Sequence, residues 1–265
     1  MNPLEQRPLI IALAGPNGAG KSTFFEAHLR QSGLPFVNAD ELARELGIDA
    51  YRAADAASLV RSNLVAAGQS FVFETVFSDP KQDKVAFLRA CEGDGYTVVL
   101  CFIGLSEAEL SDERVALRSL MGGHDVPRDK LLTRYPRSLA NLRAALRELT
   151  FVRIFDNSVS NKPHRLVAEV ERARVVELAL PVPAWATQLL RVHLPAVREF
   201  TVQSAAREGL RTSLELEHSD GSLLRLRYRT RKEPPQPGER VCLGPDFAFT
   251  RGRSSKSRQL RGRTR

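Results

Sequence analysis

The sequence predicts an α/β fold, in which a parallel sheet carries flanking helices and a helical lid and is followed by a small β-rich appendage and a basic tail. Through residue 155, short runs rich in Val, Ile and Phe alternate with longer amphipathic stretches, a pattern typical of parallel strands joined by crossover helices. A glycine-rich segment joins the first apolar run to the first amphipathic stretch. Beyond residue 190, strand-like alternation replaces helical periodicity.

The chain therefore divides into three predicted regions: a main domain of residues 1–190, an appendage of unknown role at 191–250 and a tail at 251–265. In the main domain, the predicted strands are 9–14, 36–38, 71–74, 98–103 and 152–155. The predicted helices are 21–30, 52–67, 80–91, 107–121 and 128–149, with a short one at 185–190. In the appendage, alternation on both sides of Ser219-Asp220-Gly221 predicts a hairpin.

Composition excludes several classes of protein. With 43% hydrophobic and 26% charged residues, the chain is neither disordered nor collagenous. Its three cysteines are odd in number and widely spaced, which excludes a disulfide scaffold and a cysteine-based zinc site. No apolar run approaches the roughly 20 residues of a membrane span, so we expect a cytoplasmic protein without membrane contact.

The formal charge of +8 is unevenly distributed. Residues 251–265 hold seven basic and no acidic side chains, which leaves 32 basic against 31 acidic side chains in the rest of the chain. A solvated tail is the simpler interpretation, and contact with nucleic acid or lipid headgroups is the alternative.

The main chemical signal is a G-x-x-x-x-G-K-[ST] segment, the P-loop of nucleotide-binding proteins. Its glycines let consecutive amides point at phosphate oxygens, at a helix end whose dipole favours anions. The lysine reaches the β- and γ-phosphates and the serine hydroxyl ligates Mg²⁺. The pattern predicts a P-loop NTPase-type domain that binds ATP and Mg²⁺; a glycine turn with a solvated lysine is the alternative. The nucleotide-binding residues are Gly15, Pro16, Asn17, Gly18, Ala19, Gly20, Lys21, Ser22 and Thr23, with Ser22 the metal ligand.

A P-loop does not specify the reaction, but the chain lacks the L-S-G-G-Q segment of ABC-type ATPases and the N-K-x-D segment of GTPases. Instead, polar residues follow the predicted strands, where open α/β sheets bind ligands. Asp40 is a candidate base for an acceptor hydroxyl, or the N-cap of a helix starting at Glu41. Glu74, followed by Thr75, would hold substrate or a metal-bound water; otherwise its carboxylate would lie unpaired near the core.

Arginines on the two helices after the fourth strand suggest a lid. Arg114 and Arg118 share one helix face, and Arg134 and Arg137 are three apart on the next helix. Gly122-Gly123 would form the hinge, with His124 as a hydrogen-bonded turn residue rather than a proton carrier. Guanidinium groups there would stabilise charge on a phosphoryl group in transfer; a solvated face with salt bridges is the alternative.

Together these residues resemble the zeta-toxin family of bacterial P-loop kinases over about residues 8–190. The resemblance rests on segments 15–23, 37–40, 73–75, 114–118, 122–127, 134–139 and 155–158. It implies ATP- and Mg²⁺-dependent phosphorylation of a hydroxyl on UDP-N-acetylglucosamine or a related UDP-amino-sugar, and an antitoxin protein as partner. After the third strand, this chain has Val76, Phe77 and Ser78 where the plasmid toxins have a small residue and an arginine.

The resemblance also assigns roles. By similarity, Lys21 binds ATP, Asp40 acts as base, and Arg114 and Arg118 are lid arginines. Substrate contacts fall to Glu74, Thr75 and Arg134, in addition to Asp40, and Asn157 would lie near the nucleotide base. The alternative functions are a polynucleotide or nucleoside kinase that uses the basic tail, and a non-catalytic module gated by nucleotide binding.

Overall fold

The computed structural model describes residues 2–120, 127–196 and 198–251, and for residues 118–120 it describes the backbone alone. Its contacts divide the chain into two units. Unit 1 comprises Met1–Leu166 and Val170–Ala173, and unit 2 comprises Val167–Glu169 and Arg174–Arg265. The predicted boundary at residue 190 lies inside unit 2, because the strand that begins at Arg174 pairs with a strand of that unit.

Unit 1 contains five parallel strands in the order β5-β4-β1-β3-β2. The strands are β1 (Leu9–Ala14), β2 (Phe36–Val37), β3 (Phe71–Thr75), β4 (Thr97–Gly104) and β5 (Phe151–Asp156). All six residues of β1 are buried, as expected for a central strand covered on both faces. The predicted α/β class and all five predicted strands are confirmed.

The helices of unit 1 follow the predicted periodicity, except that the first predicted helix is not uniform. They are α1 (Lys21–Phe24), α2 (Ala39–Leu46), α3 (Ala50–Ala66), α4 (Asp83–Gly93), α5 (Ala108–Leu120) and α6 (Arg128–Glu148), preceded by a short 3₁₀ turn at Pro3–Glu5. The predicted helix 21–30 is not a uniform α-helix, because α1 passes into a π-helix at Phe25–Leu29 and a 3₁₀ turn at Arg30–Ser32. Asn38 and Asp49 accept hydrogen bonds from backbone amides at the starts of α2 and α3, which separates the two helices.

The core of unit 1 lies between the sheet and the helices that cover it. Leu9, Ile11 and Leu13 of β1 point into one cluster that also contains Phe24 and Phe25. The ring of Phe25 stacks on Phe36 with centroids 3.8 Å apart. This packing holds the first turn of α1 against the end of β1 and so positions the glycine loop between them.

Unit 2 is rich in strands, as predicted for the C-terminal region, and contains the predicted hairpin around Gly221. Its strand order is β12-β11-β8-β9-β10-β7, and all of these neighbours are antiparallel except the parallel pair β7 and β10. The elements are β7 (Arg174–Ala179), α7 (Ala184–Arg191), β8 (Glu199–Glu208), β9 (Arg211–His218), β10 (Leu223–Arg229), β11 (Arg240–Leu243) and β12 (Phe249–Arg251); β6 (Arg165–Glu171) is divided between the units. No helix in the described residues is both long and apolar enough to cross a membrane.

Candidate active site

The glycine loop between β1 and α1 requires its glycines. Gly15, Gly18 and Gly20 have φ values of +143°, +69° and +86°, which side chains rarely allow. A Cβ at Gly15 would lie 2.1 Å from the carbonyl oxygen of Ile103, and one at Gly20 would lie 2.5 Å from Nδ2 of Asn157. The loop is therefore packed tightly against the ends of β4 and β5.

This loop leaves donors free for an anion. Among the described residues, the amides of Gly18, Gly20 and Lys21 donate no hydrogen bond to a backbone carbonyl. They lie in a left-handed turn at the start of a helix, where the dipole favours negative charge. A cradle closed to side chains and lined with free amides fits the phosphates of a nucleotide.

Three side chains meet beside the loop. Oε1 of Glu74 lies 3.6 Å from Nζ of Lys21, and Oε2 accepts a hydrogen bond of 2.8 Å from Oγ of Ser22. The Lys21 ammonium is 5% exposed and also donates to the carbonyl of Pro16 at 3.1 Å. Adjacent parallel strands bring these residues together, since β1 and β3 are paired and both end at this edge.

The same cluster offers ligands suited to Mg²⁺. The hydroxyl of Ser22 and the carboxylate of Glu74 are hard oxygen donors next to the phosphate cradle. Within the described part of the chain, no group of three or more His, Cys, Asp and Glu side chains could hold a metal by itself. The residues thus fit an ion held by one or two side chains and by nucleotide phosphates.

Asn38, and not Asp40, is the N-cap of α2. Its Oδ1 accepts a hydrogen bond from the Asp40 amide at 2.9 Å, so Asn38 is the N-cap of α2 and the N-cap interpretation of Asp40 is wrong. Its Nδ2 also donates to Oε2 of Glu74 at 3.3 Å. The Asp40 carboxylate is exposed in the first turn of α2 and forms no hydrogen bond or ion pair with a described residue. The structure therefore ties Asp40 to the cluster through its neighbour Asn38 and not by a contact of its own.

The segment after β3 is held by α6. The Thr75 hydroxyl accepts a hydrogen bond from the amide of Phe77, which is buried at a φ of +60°. From α6, Ser138 donates to the carbonyl of Val76 at 2.7 Å, and Asn141 donates to that of Phe77 at 3.0 Å. These bonds hold the backbone of Val76 and Phe77, which belong to the segment whose sequence differs from that of the plasmid toxins.

Arg114, the first of the predicted lid arginines, lies beside the P-loop. A Cβ at Gly18 would be 3.1 Å from Cβ of Arg114, and the hydroxyl of Ser111 on the same helix donates to the carbonyl of Asn17 at 2.6 Å. Helix α5 therefore packs directly on the loop. An ion pair of 3.1 Å joins Arg128 of α6 to Asp112 of α5, and it involves none of the predicted lid arginines.

The remaining predicted lid residues either make no polar side-chain contact with the described residues or lie outside them. Arg134 is half-buried on α6 and Arg137 is exposed, and the guanidinium groups of both make no hydrogen bond or ion pair with the described residues. Arg118 belongs to α5, but its side chain lies outside the described residues, as do the predicted hinge at Gly122-Gly123 and His124.

Asn157 and His164 close the other side of the loop. Nδ2 of Asn157 donates to the carbonyl of Ala19 at 2.9 Å, and its Oδ1 accepts from the amide of His164 at 3.2 Å. Nε2 of His164 lies 3.1 Å from the carbonyl of Gly20 and must donate, because a carbonyl only accepts. Burial lowers the pKa of His164, and the charges of His28 and Arg114 lower it further, which favours the neutral ring.

Sequence reasoning did not identify His164. It follows β5 in a loop without a motif, and its contact with Gly20 joins residues 144 positions apart. The structure also shows the Asn157 amide engaged with the P-loop and with His164. Asn157 therefore holds the loop in place, and its position near the nucleotide base stays a prediction.

Comparison with known proteins gives one family match, which falls within unit 1. Residues 10–134, just under half of the chain, match a family described as an AAA domain. No curated protein matches the sequence.

Similar solved structures include the AvrRxo1-ORF1:-ORF2 complex with ATP, at 19% identity and a TM-score of 0.46, with 64% of this chain and 62% of that chain covered. The PezAT toxin-antitoxin system of Streptococcus pneumoniae matches at 20% identity and a TM-score of 0.43, covering 62% and 72%. A gluconokinase from Sinorhizobium meliloti matches at 22% identity and a TM-score of 0.37, covering 57% and 84%. Likeness at this level concerns the fold alone. The glycine loop, the parallel sheet and the family match together make unit 1 a P-loop NTPase-type α/β domain.

Proposed function

We propose that this protein is a kinase that uses ATP and Mg²⁺ to phosphorylate a hydroxyl group of a small molecule. The observation that carries the proposal is the meeting of Lys21, Ser22 and Glu74 beside the open amides of the P-loop. Phosphoryl transfer needs a phosphate cradle, a cation on the terminal phosphates and ligands for a divalent ion, and this cluster supplies all three.

In this proposal, the amides of the loop bind the phosphates, and Lys21 leaves the carbonyl of Pro16 to contact the terminal phosphate. Ser22 and Glu74 would hold Mg²⁺, which neutralises charge on the phosphates when bound. Arg114, next to Gly18, would stabilise charge on the group in transfer, with Arg118 as its predicted partner. Asn157 and His164 keep the loop in shape.

Asp40 is the proposed base. Its exposed carboxylate has no partner among the described residues, so it is free to accept the proton of an acceptor hydroxyl. Thr75 and Arg134 are proposed to contact the acceptor, since Thr75 ends β3 next to Glu74 and Arg134 lies on the helix that clamps the following segment.

The proposed chemical class of the acceptor comes from the resemblance of the sequence to zeta toxins. Likeness to zeta toxins supports UDP-N-acetylglucosamine or a related UDP-amino-sugar, and an antitoxin as protein partner. Val76, Phe77 and Ser78 stand where those toxins carry a small residue and an arginine, so the acceptor is the part of the proposal that most needs a direct test.

The test combines purified full-length protein with Mg²⁺-ATP and a panel of acceptors: UDP-amino-sugars, sugar acids, nucleosides and an oligonucleotide with a free 5′ hydroxyl. ADP release and a phosphate-sized mass gain of one acceptor are the measurements. Lys21→Ala should abolish both, whereas Lys81→Ala, an exposed lysine outside the loop, should not.

Each outcome has a separate meaning. Phosphorylation of a UDP-amino-sugar supports the whole proposal. Phosphorylation of another acceptor supports the kinase activity but overturns the proposed acceptor. Nucleotide binding without turnover on any acceptor would favour the non-catalytic module, and an absence of Mg²⁺-dependent nucleotide binding would overturn the site itself.

A further inference from the structure

Unit 2 contains an open groove with a volume of about 820 Å³, within the range of small-molecule and nucleotide sites. Three segments line it: residues 180–182 after β7, residues 228–233 from the end of β10, and residues 246–251 in and before β12. Nothing in the proposed kinase chemistry uses these residues.

The groove exists because the sheet of unit 2 curls. Three strands separate β10 from β12 in the sheet order, yet the rings of Tyr228 and Phe249 lie 5.0 Å apart with an interplanar angle of 39°. Both rings are half-buried, so each keeps part of its surface open to the groove. Two adjacent aromatic rings in an open groove form a platform on which a planar base can stack.

Cations surround this aromatic platform. Arg229, Lys232 and Arg251 line the groove and are exposed. Arg229 and Lys232 form no ion pair with a described carboxylate, and Arg251 contacts the main-chain carbonyl of Glu233. Burial raises the pKa of Tyr228, while the positive charges of Arg251 and Arg207 lower it.

The two acidic residues of the groove are already engaged. The Glu233 carboxylate pairs with Arg207 at 3.3 Å, and Oδ1 of Asp246 accepts a hydrogen bond from the amide of Ala248 at 3.2 Å. The lining therefore holds three cations and two carboxylates, one of which is paired with Arg207, and this excess of positive charge attracts a phosphate-bearing ligand.

The excess of basic over acidic side chains in the chain lies in residues 174–265, the part of the sequence that contains the groove. Residues 174–265 carry 18 basic and 9 acidic side chains, whereas residues 1–173 carry 21 and 22. Six of those basic residues, and no acidic one, follow directly after Arg251. A basic segment that continues from a cationic, aromatic groove is typical of binding to a polyanion longer than one nucleotide.

We propose that this groove binds single-stranded nucleic acid, with a base stacked on Tyr228 and Phe249 and phosphates contacted by Arg229, Lys232 and Arg251. All of these residues belong to unit 2, none is part of the P-loop segment, and the proposal does not rest on the proposed kinase function.

The test is fluorescence anisotropy of a labelled single-stranded oligonucleotide with the full-length protein over a series of salt concentrations. Phe249→Leu keeps an apolar side chain but removes the ring, so affinity should fall about tenfold, within the range measured for loss of one stacked base. Its salt dependence should stay unchanged. Arg229→Ala should instead lower the slope of log K against log salt by about 0.7, the value for one phosphate contact on a single strand.

Two controls separate this effect from general changes in charge or nucleotide binding. Arg174→Ala removes an exposed arginine that pairs with Asp220 in the turn at the opposite end of β10, and it should change neither affinity nor slope. Lys21→Ala should bind the oligonucleotide like the wild-type protein, even where it abolishes ATP binding. Unfolding midpoints of each variant show whether a loss reflects misfolding, and Tyr228→Phe, which keeps the ring, should bind normally.

Three results would overturn the proposal. In the first, Phe249→Leu and Arg229→Ala bind normally, while replacing the six basic residues of 252–265 by Gln abolishes binding, so that those residues alone make the contact. In the second, inorganic polyphosphate of matched charge competes as well as the oligonucleotide, so that bases are not read. In the third, an acidic peptide displaces the oligonucleotide at lower concentration, so that the groove takes a protein.

Discussion

The carboxylate of Glu74 accepts a hydrogen bond of 2.8 Å from the hydroxyl of Ser22, although 52 positions separate the two residues in the chain. The contact arises because Leu13 and Glu74 are register partners in β1 and β3, so the third strand delivers its carboxylate to the loop that follows the first. Through its other oxygen, Glu74 also balances the buried Lys21. In the proposed site, Mg²⁺ binding and phosphate binding therefore share one acidic residue.

The first prediction concerns this carboxylate. Glu74→Gln keeps the shape and the hydrogen bond but removes the charge, so Mg²⁺ loses a ligand and Lys21 loses its counter-charge. We expect Mg²⁺-dependent affinity for ATP to fall about 10- to 100-fold, as for other residues that tune metal sites. Calorimetric titration with and without Mg²⁺ measures this. Glu45→Gln, at an exposed carboxylate of α2, is the control, and an unchanged Mg²⁺ dependence in Glu74→Gln would remove this residue from the ion site.

Asp40→Asn tests the proposed base. Because the carboxylate is exposed and makes no contact with the described residues, the substitution should leave ATP affinity unchanged. Loss of its charge in the first turn of α2 should lower the unfolding free energy by no more than about 1 kcal/mol. Turnover on the accepted substrate should fall by about 10²- to 10⁴-fold, the usual contribution of a general base. Glu41→Gln removes the adjacent carboxylate as a control. Full turnover in Asp40→Asn would assign proton transfer to another group.

The tight approach of the glycine loop to β4 predicts different costs for two glycine substitutions. Gly47→Ala places a Cβ in open space at a φ of +63°, so we expect a loss of about 1–2 kcal/mol from backbone strain alone. Gly15→Ala adds overlap with the carbonyl of Ile103, which should cost about 1–3 kcal/mol more. Urea unfolding of both variants measures the difference. Equal losses would mean that β4 and the loop are not in close contact.

The lowered pKa of His164 leads us to predict that the stability of the protein depends on pH. Burial holds its pKa below the ordinary value of 6.5, so the unfolded chain binds this proton more readily than the folded chain. The contribution of His164 to the unfolding free energy is therefore unaffected well above pH 6.5 and becomes increasingly unfavourable as pH falls through that value. The His28 ring lies 5.7 Å from the His164 ring. The charges of His28 and Arg114 also lower the pKa of His164, whereas its hydrogen bond to Gly20 raises it without reversing the effect of burial.

His164→Gln should make stability less sensitive to acid, because glutamine can donate to Gly20 but does not titrate. Urea midpoints on either side of the pKa range, at about pH 8 and pH 5.5, give the comparison. If His164→Gln and the wild-type protein lose equal stability on acidification, the ring is not held neutral in the fold.

Much of unit 1 was predictable because its signals are local. The five strands appear as apolar runs, since a strand covered on both faces must be apolar on both sides. The glycine loop is recognisable for a similar reason, because its unusual φ values leave glycine as the suitable residue at fixed spacing. Local patterns were less informative for α2, where Asn38 and Asp40 are both plausible caps and only the helix start at Ala39 decides between them.

By itself, the sequence determined the α/β class, the P-loop and the strand ends at which polar residues appear, because each depends on neighbouring positions in the chain. The tertiary structure decided which of those residues meet: Glu74 with Ser22, and His164 with Gly20. It also decided that the residues after Arg174 join the second unit, through the pairing of β7 with β10. These contacts depend on strand order and on chain segments far apart in sequence, which hydrophobic periodicity does not encode.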